Sequence, residues 1–248
     1  MSISLCMIVK NEEKNLSQLL PTIKEYVDEI IIVDTGSADN TKEIAKKHTN
    51  KIFDFEWTQD FSEARNFSIS KATKEWILIL DADERISEED LKKIKLLTQN
   101  KEVTAYKFEQ RNYSNKPTPI KWKESVEDSY EESKQFKGWQ YRGIIRLFKN
   151  DKRIKFEYLI HETVLPIIEK IGMKIENSNI PIHHYYTIKG KEESYYKLLK
   201  QKIKKQPTAH SYAELAIHCY ETGKKDEAET YKKEAIRLNK AMNFLDKY

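Results

Sequence analysis

Cysteine, glycine and proline are all scarce in this 248-residue chain, with 2, 6 and 6 occurrences. Cys6 lies in an apolar run and Cys219 in a helical pattern far from it, so the pair argues against a disulfide framework and reads as two small buried hydrophobes. No Gly-x-Gly-x-x-Gly follows the first apolar run, which leaves dinucleotide binding unsupported. No apolar stretch approaches the ~20 residues that span a bilayer. The opening "MSISLCMIVK" lacks a basic segment and a cleavage site, so a cytoplasmic protein is expected. Strong charge of one sign is also missing. A net charge of +4 favours small anionic ligands and gives no reason to expect a nucleic-acid surface.

What the chain does have is alternation. The runs "ISLCMIV" (3 to 9), "EIIIVD" (29 to 34), "KIFDF" (51 to 55) and "WILILD" (76 to 81) are rich in branched apolar residues and are separated by helical patterns. That order predicts β-α-β units and a mostly parallel sheet flanked by helices, an α/β fold. Leu16, Leu19, Leu20, Ile23 and Val27 form one helical stripe, which Pro21 should kink or shorten. At 34% charged residues and a mean hydropathy of −0.76, the surface should be well solvated and rich in helix.

The stretch "LILDADER" (78 to 85) sets two carboxylates, Asp81 and Asp83, one residue apart at the end of an apolar run. Unpaired charge at a buried strand end costs several kcal/mol, so a positive partner is expected. Capping the next helix is one explanation, but Ser87-Glu88-Glu89-Asp90 already has the form of a capping box. A divalent cation with a phosphate ligand is the other. Asp34 ends the second strand beside the turn "TGSADN", a natural place to meet the hydroxyls or base edge of a nucleoside. Arg65, in the helix of "DFSEARNFSISKAT" (60 to 73), either faces solvent or presents a cationic fork to a diphosphate. In open parallel sheets, ligands collect beyond the carboxyl ends of the strands, where all three acids are predicted.

Beyond residue 104 the pattern changes. A long strand is predicted at "TAYKFEQRNY", then an acid-rich mobile loop from 114 to 138, then strands at 143 to 149, 154 to 164 and 180 to 186. His161, Glu162, His183 and His184 cluster in this part, each either a satisfied structural group or a site residue. From about 189 the chain is helical and lysine-rich, with Leu198, Leu199 and Ile203 turned inward. Tyr212, Leu215, Ala216, Gly223, Ala228 and Ala235 then fall at the offsets of one tetratricopeptide hairpin. This tail offers a surface for peripheral membrane contact or for homodimer formation.

In this order, "SLCMIVKNEEKNL", "EIIIVDTGSADNT", "DFSEARN" and "ILILDADE" resemble the nucleotide-sugar half of family 2 glycosyltransferases, with the GT-A fold. The later "RLFKND", "FEYLIHE" and "IHHYY" look like the acceptor half of the branch with a tetratricopeptide tail. That branch includes S-glycosyltransferases of bacteriocin peptides and many envelope glycosyltransferases. Its last motif usually continues His-Tyr-Gly-Tyr, whereas Tyr186 and Thr187 stand here in place of Gly and Tyr.

The resemblance implies a GT-A domain over 1–188, with a nucleotide-sugar half (1–100) and an acceptor half (101–188), and a helical tail over 189–248. It implies an inverting transfer of a hexose from a UDP-sugar to a peptide, glycan or lipid-linked acceptor, with Mg²⁺ or Mn²⁺. Val9, Asn11, Asp34, Arg65, Asp81 and Ala82 would line the nucleotide sugar. Asp83 and His184 would hold the metal, and Glu162 would be the base, with Asp128, Glu131 and Glu132 in reserve. Two rivals remain, a non-catalytic tetratricopeptide adaptor on a decayed scaffold and a metal-dependent phosphotransferase using Asp81 as nucleophile.

Overall fold

The computed structural model describes residues 1–117, 121–185 and 192–238. The chain divides into two compact units. One comprises Met1–Glu157 and His161–Tyr186, the other Tyr158–Ile160 and Thr187–Tyr248.

Among the described residues the first unit holds nine strands: β1 (Ile3–Val9), β2 (Glu29–Asp34), β3 (Ile52–Asp54), β4 (Trp76–Ile79), β5 (Glu84–Arg85), β6 (Ala105–Ser114), β7 (Trp122–Glu124), β8 (Gly138–Lys149) and β9 (Ile175–His184). They form one sheet in the order β3-β2-β1-β4-β8-β6-β9-β5, with β7 paired to β8. β3, β2, β1 and β4 run parallel, as does the pair β6 and β9, while β8 is antiparallel to β4 and β6. The helices are α1 (Glu13–Ile23), α2 (Thr41–Lys46), α3 (Phe61–Ser70), α4 (Glu88–Leu97) and α5 (Leu165–Lys170).

The branched apolar runs form strands because both faces of the sheet are covered. Ile3, Leu5 and Met7 of β1, Ile32 of β2 and Trp76 and Leu78 of β4 pack in one core with Leu16, Leu20 and Ile23 of α1 and Leu91 and Ile94 of α4. The alternate residues Cys6, Ile31, Val33, Ile77 and Ile79 pack in a second core with Phe67 of α3 and Ile168 of α5. Each fully buried Leu or Ile contributes about 1.5–3 kcal/mol, so the central strands are anchored from two sides. Cys6 and Cys219 are both free and buried. α1 runs through Pro21 and stops two residues later, at Ile23.

Three expectations need correction. β4 leaves the ladder at Ile79, before Asp81, because the segment folds into a turn in which Glu84 N donates to Asp81 O (3.0 Å) and Asp81 N to Glu84 Oε2 (2.9 Å). The acid-rich stretch expected as a mobile loop contains β7 and a short 3-10 turn at Glu131–Ser133, tied down by Asp128 on Arg111 and Tyr130 on Asp90. The run 154 to 164 is not a strand. It makes only one bridge, Glu157 with Thr163, and Tyr158 and His161 take left-handed backbone angles that no strand accommodates.

The second unit contains α6 (Glu192–Lys205), α7 (Ala209–Glu221) and α8 (Lys225–Leu238). Thr208 caps α7, its hydroxyl accepting from Ser211 N (3.1 Å). Gly223 turns α7 into α8 at φ +81°, which only glycine adopts without strain. Leu198 and Leu199 of α6 are buried, but Lys202, not Ile203, is the third inward side chain. The expected helix start at 189–191 and the motif positions Tyr186 and Thr187 lie outside the described residues. No described helix is long and apolar enough to cross a membrane.

Candidate active site

Parallel pairing brings the carboxyl ends of β1, β2 and β4 to one edge of the sheet. Val9 and Asp34 are register partners there. Asp34 is 2% exposed and accepts from Ser37 N (3.0 Å) and Gly36 N (3.2 Å), so its carboxylate shapes the turn that follows. Asn11, at φ +57°, accepts from Ala38 N through Oδ1 (2.7 Å), and its own N–H donates to Ser37 Oγ (2.9 Å). Thr35 N donates to Val9 O (2.9 Å). Val9, Asn11 and Asp34 therefore stand together around one turn.

The second group centres on Arg65. Its helix begins at Asp60, whose carboxylate accepts from Ser62 N and Glu63 N. The guanidinium is 3% exposed, which rules out the solvent-facing alternative. Nη2 donates to Asp81 Oδ1 (2.5 Å) and Nε to Glu162 Oε1 (2.9 Å), while Nη1 is buried without a partner among the described residues. Arg146 on β8 donates through Nη2 to Asp81 Oδ2 (2.9 Å) and to Glu84 Oε1 (2.7 Å). Burial works against ionising Asp81, but the two guanidiniums outweigh it and hold its carboxyl well below the usual carboxylate range. Arg65 is likewise held charged against burial by Asp81 and Glu162.

Glu84 is fully buried and also accepts from Gln110. It belongs to β5, where it is the register partner of His184 on β9. That pairing carries His184 to the turn holding Asp83. His184 Nε2 lies 3.4 Å from Asp83 Oδ2, and Tyr185 N donates to Asp83 O (3.1 Å). His184 Nδ1 is 2.6 Å from Asn112 Oδ1. With that oxygen as acceptor Nδ1 is the donor, which fixes the ring with Nε2 turned toward Asp83. Ala82 sits buried between the two acids, its carbonyl accepting from Arg85 Nη1 (2.6 Å).

Among the described residues no three His, Cys, Asp or Glu side chains gather as a metal cage. A carboxylate oxygen beside an imidazole nitrogen fits a divalent cation that accepts mixed oxygen and nitrogen ligands, with Asp83 as its hard oxygen donor and a diphosphate and waters left to complete the shell. Of the reserve acids, Asp128 is held by both oxygens on Arg111 Nη1 (3.0 Å each) and Glu131 pairs with Lys134. Arg146, Glu84, Gln110 and Asn112 were not singled out from sequence. Their long-range partners are 26 to 72 residues away, and only the fold shows them.

The family model described as Glycosyl transferase family 2 matches residues 4–163. The chain belongs to glycosyltransferase family 2. It is 34% identical over 162 residues to a TPR repeat-containing protein of Synechococcus elongatus, covering 65% of this chain and 35% of that one. It is 31% identical over 158 residues to the SPbeta prophage-derived glycosyltransferase SunS of Bacillus subtilis, covering 63% and 33%. The chain thus spans about a third of the length of the curated relatives it matches. Among solved structures, Staphylococcus aureus TarS 1–349 in complex with UDP-GlcNAc superposes with a TM-score of 0.54 at 17% identity, covering 88% of this chain and 71% of that one. Glucosyl-3-phosphoglycerate synthase from Mycobacterium tuberculosis, in complex with Mg²⁺ and UDP, gives 0.50 at 13% identity, covering 75% and 72%. The shared fold of this family 2 chain is GT-A, a mostly parallel sheet with helices on both faces.

Proposed function

We propose that this chain is a glycosyltransferase that moves a hexose from a UDP-sugar to a hydroxyl or thiol of a peptide, glycan or lipid-linked acceptor, with inversion. One observation carries the reading. Arg65 joins Asp81, in the turn after the central strand, to Glu162 on the facing loop, so the acid turn and a second carboxylate stand on two sides of one guanidinium. Family membership and the UDP and UDP-GlcNAc complexes of TarS support a nucleotide-sugar donor.

In this reading the turn of Val9, Asn11 and Asp34 receives the uridine. Asp81, with both oxygens accepting from Arg65 and Arg146, has no oxygen left open for the nucleophilic role a phosphotransferase would give it, and instead orders the two arginines beside the diphosphate. Arg65 offers Nη1 as a donor to that group. Asp83 and His184 would hold a divalent cation, which supplies charge neutralisation for the departing UDP. Glu162 accepts the acceptor's proton as its oxygen or sulfur attacks the anomeric carbon. In such a single displacement the sugar–phosphate bond breaks as the new bond forms, so configuration inverts.

The test is UDP release across a panel of nucleotide sugars, with and without Mn²⁺, together with the anomeric configuration of the product by NMR. Metal-dependent release with inversion is expected. Free phosphate as the primary product, or retained configuration, would overturn the reading.

A further inference from the structure

The loop that carries Glu162 leaves the sheet unit through a neck of two backbone hydrogen bonds, Glu157 N to Thr163 O (3.0 Å) and Thr163 N to Glu157 O (3.1 Å). Tyr158 and His161 have φ of +79° and +55°. Side-chain-bearing residues hold such angles at a cost, and only where their surroundings dictate them. Between these positions Leu159 and Ile160 are buried.

What holds that segment is a lysine of the helical unit. Lys202 on α6 is 1% exposed. Its ammonium donates to Ile160 O (3.0 Å) and to Glu214 Oε2 on α7 (2.6 Å), and lies 4.9 Å from the centre of the Tyr158 ring. A buried ion pair is seldom better for stability than apolar side chains of the same volume, so packing of α6 on α7 does not account for a lysine here. What an apolar residue would not supply is the charged donor to the Ile160 carbonyl.

We infer that Lys202 is a positioning residue for Glu162, acting through the backbone of Tyr158–Ile160; the inference rests on the transferase reading above. With the neck closed at Thr163 and the Ile160 carbonyl held, the two residues between them have little freedom. Glu162 is one of them, and its Oε1 meets Arg65 Nε at 2.9 Å. Lys202 thereby takes part in presenting the base, through the backbone it holds, while contributing no group to the chemistry.

The test uses the full chain carrying K202M with E214L, which removes both charges and keeps the volume, each with and without E162Q. UDP release from UDP-glucose and UDP-N-acetylglucosamine, with water as acceptor, is measured alongside amide hydrogen exchange across residues 158–163. Expected are UDP affinity within about twofold of wild type, faster loop exchange, and turnover lower by about tenfold at unchanged donor KM. That loss should shrink to less than about twofold when Glu162 is already Gln, because two residues acting through one group are not additive. Additive losses, wild-type turnover or unchanged loop exchange would each overturn the inference. If the paired variant loses UDP binding through misfolding, Glu214→Gln carries the same cycle. If the wild type releases UDP from neither sugar, the transferase reading fails there, and loop exchange alone decides whether Lys202 holds the loop.

Discussion

Asp81 and Asp83 are two residues apart, but the turn between them gives them separate partners. Asp81 is neutralised twice, by Arg65 and Arg146, whereas Asp83 is set against His184. In the proposed reading the first is a structural charge beside the donor, and the second is the carboxylate that would take a cation. Asp83→Asn should lower UDP release by at least about a hundredfold at saturating Mn²⁺ while leaving the unfolding midpoint near wild type. An Asn variant with wild-type turnover in chelator would remove Asp83 from the metal site. Arg65→Ala should behave differently, because it strands Glu162 and half of the Asp81 pairing in a buried setting. It should cost about 2–3 kcal/mol in chemical denaturation, less than a fully buried pair because Asp81 is partly open to water, and weaken UDP binding as well. Arg65→Lys should recover part of the stability and little of the affinity, since an ammonium cannot serve two carboxylates and a phosphate in one plane.

At the scale of strands and helices, one acid holds the amino end of the sheet together. Glu29 opens β2 and accepts from Ser4 on β1, from Lys51 ahead of β3 and from Thr73 N and Oγ1 (2.9 and 2.8 Å) ahead of β4. Burial opposes its ionisation, but these donors outweigh it and bring its pKa down from 4.5 to about 2. The folded state therefore binds fewer protons than the unfolded one between those values. The stabilisation is complete above pH about 4.5 and is lost as pH falls toward 2, amounting to about 3 kcal/mol. Urea midpoints at pH 6 and pH 3 should separate wild type from Glu29→Gln, the variant losing less on acidification; equal losses would show that Glu29 is not the acid-sensitive group. The strands around Glu29 were legible in the sequence because each is buried on both faces and so reads as an unbroken apolar run. The acceptor half was harder to read. β8 begins at Gly138, before its apolar run, because its first half is held by backbone pairing with β6 and β7 and, apart from the buried Trp139, carries little apolar signature. The run 154 to 164 carries strand-like composition, yet Leu159 and Ile160 are buried with the helical unit, and the backbone turns at Tyr158 and His161. Asp34, Arg65, Asp81, Asp83 and His184 were singled out from motifs, whereas a lone Arg146 or Lys202 looks like any surface cation until the fold supplies its partner.

For the whole molecule, the roles proposed above place donor binding within the sheet unit. Every residue assigned to the nucleotide sugar belongs to the sheet unit, and its two cores are built from that unit's own strands and helices. A chain ending at residue 186 should therefore fold around the same sheet and bind UDP with an affinity within about threefold of the full chain, as measured by calorimetry. Turnover should fare differently. The shortened chain lacks Lys202 and Glu214, so Ile160 loses its donor and the buried residues Leu159 and Ile160 lose their cover. Exposing two such side chains costs about 3–6 kcal/mol of burial, which favours a loop that rearranges over one that waits in place. UDP release should then fall by about tenfold or more with donor KM little changed, the pattern of a lost transition-state contact. Full turnover in the shortened chain would show that the loop holds Glu162 without the helices. Loss of UDP binding would show that the sheet unit does not form the donor site by itself, and the separation of binding from turnover would then be wrong.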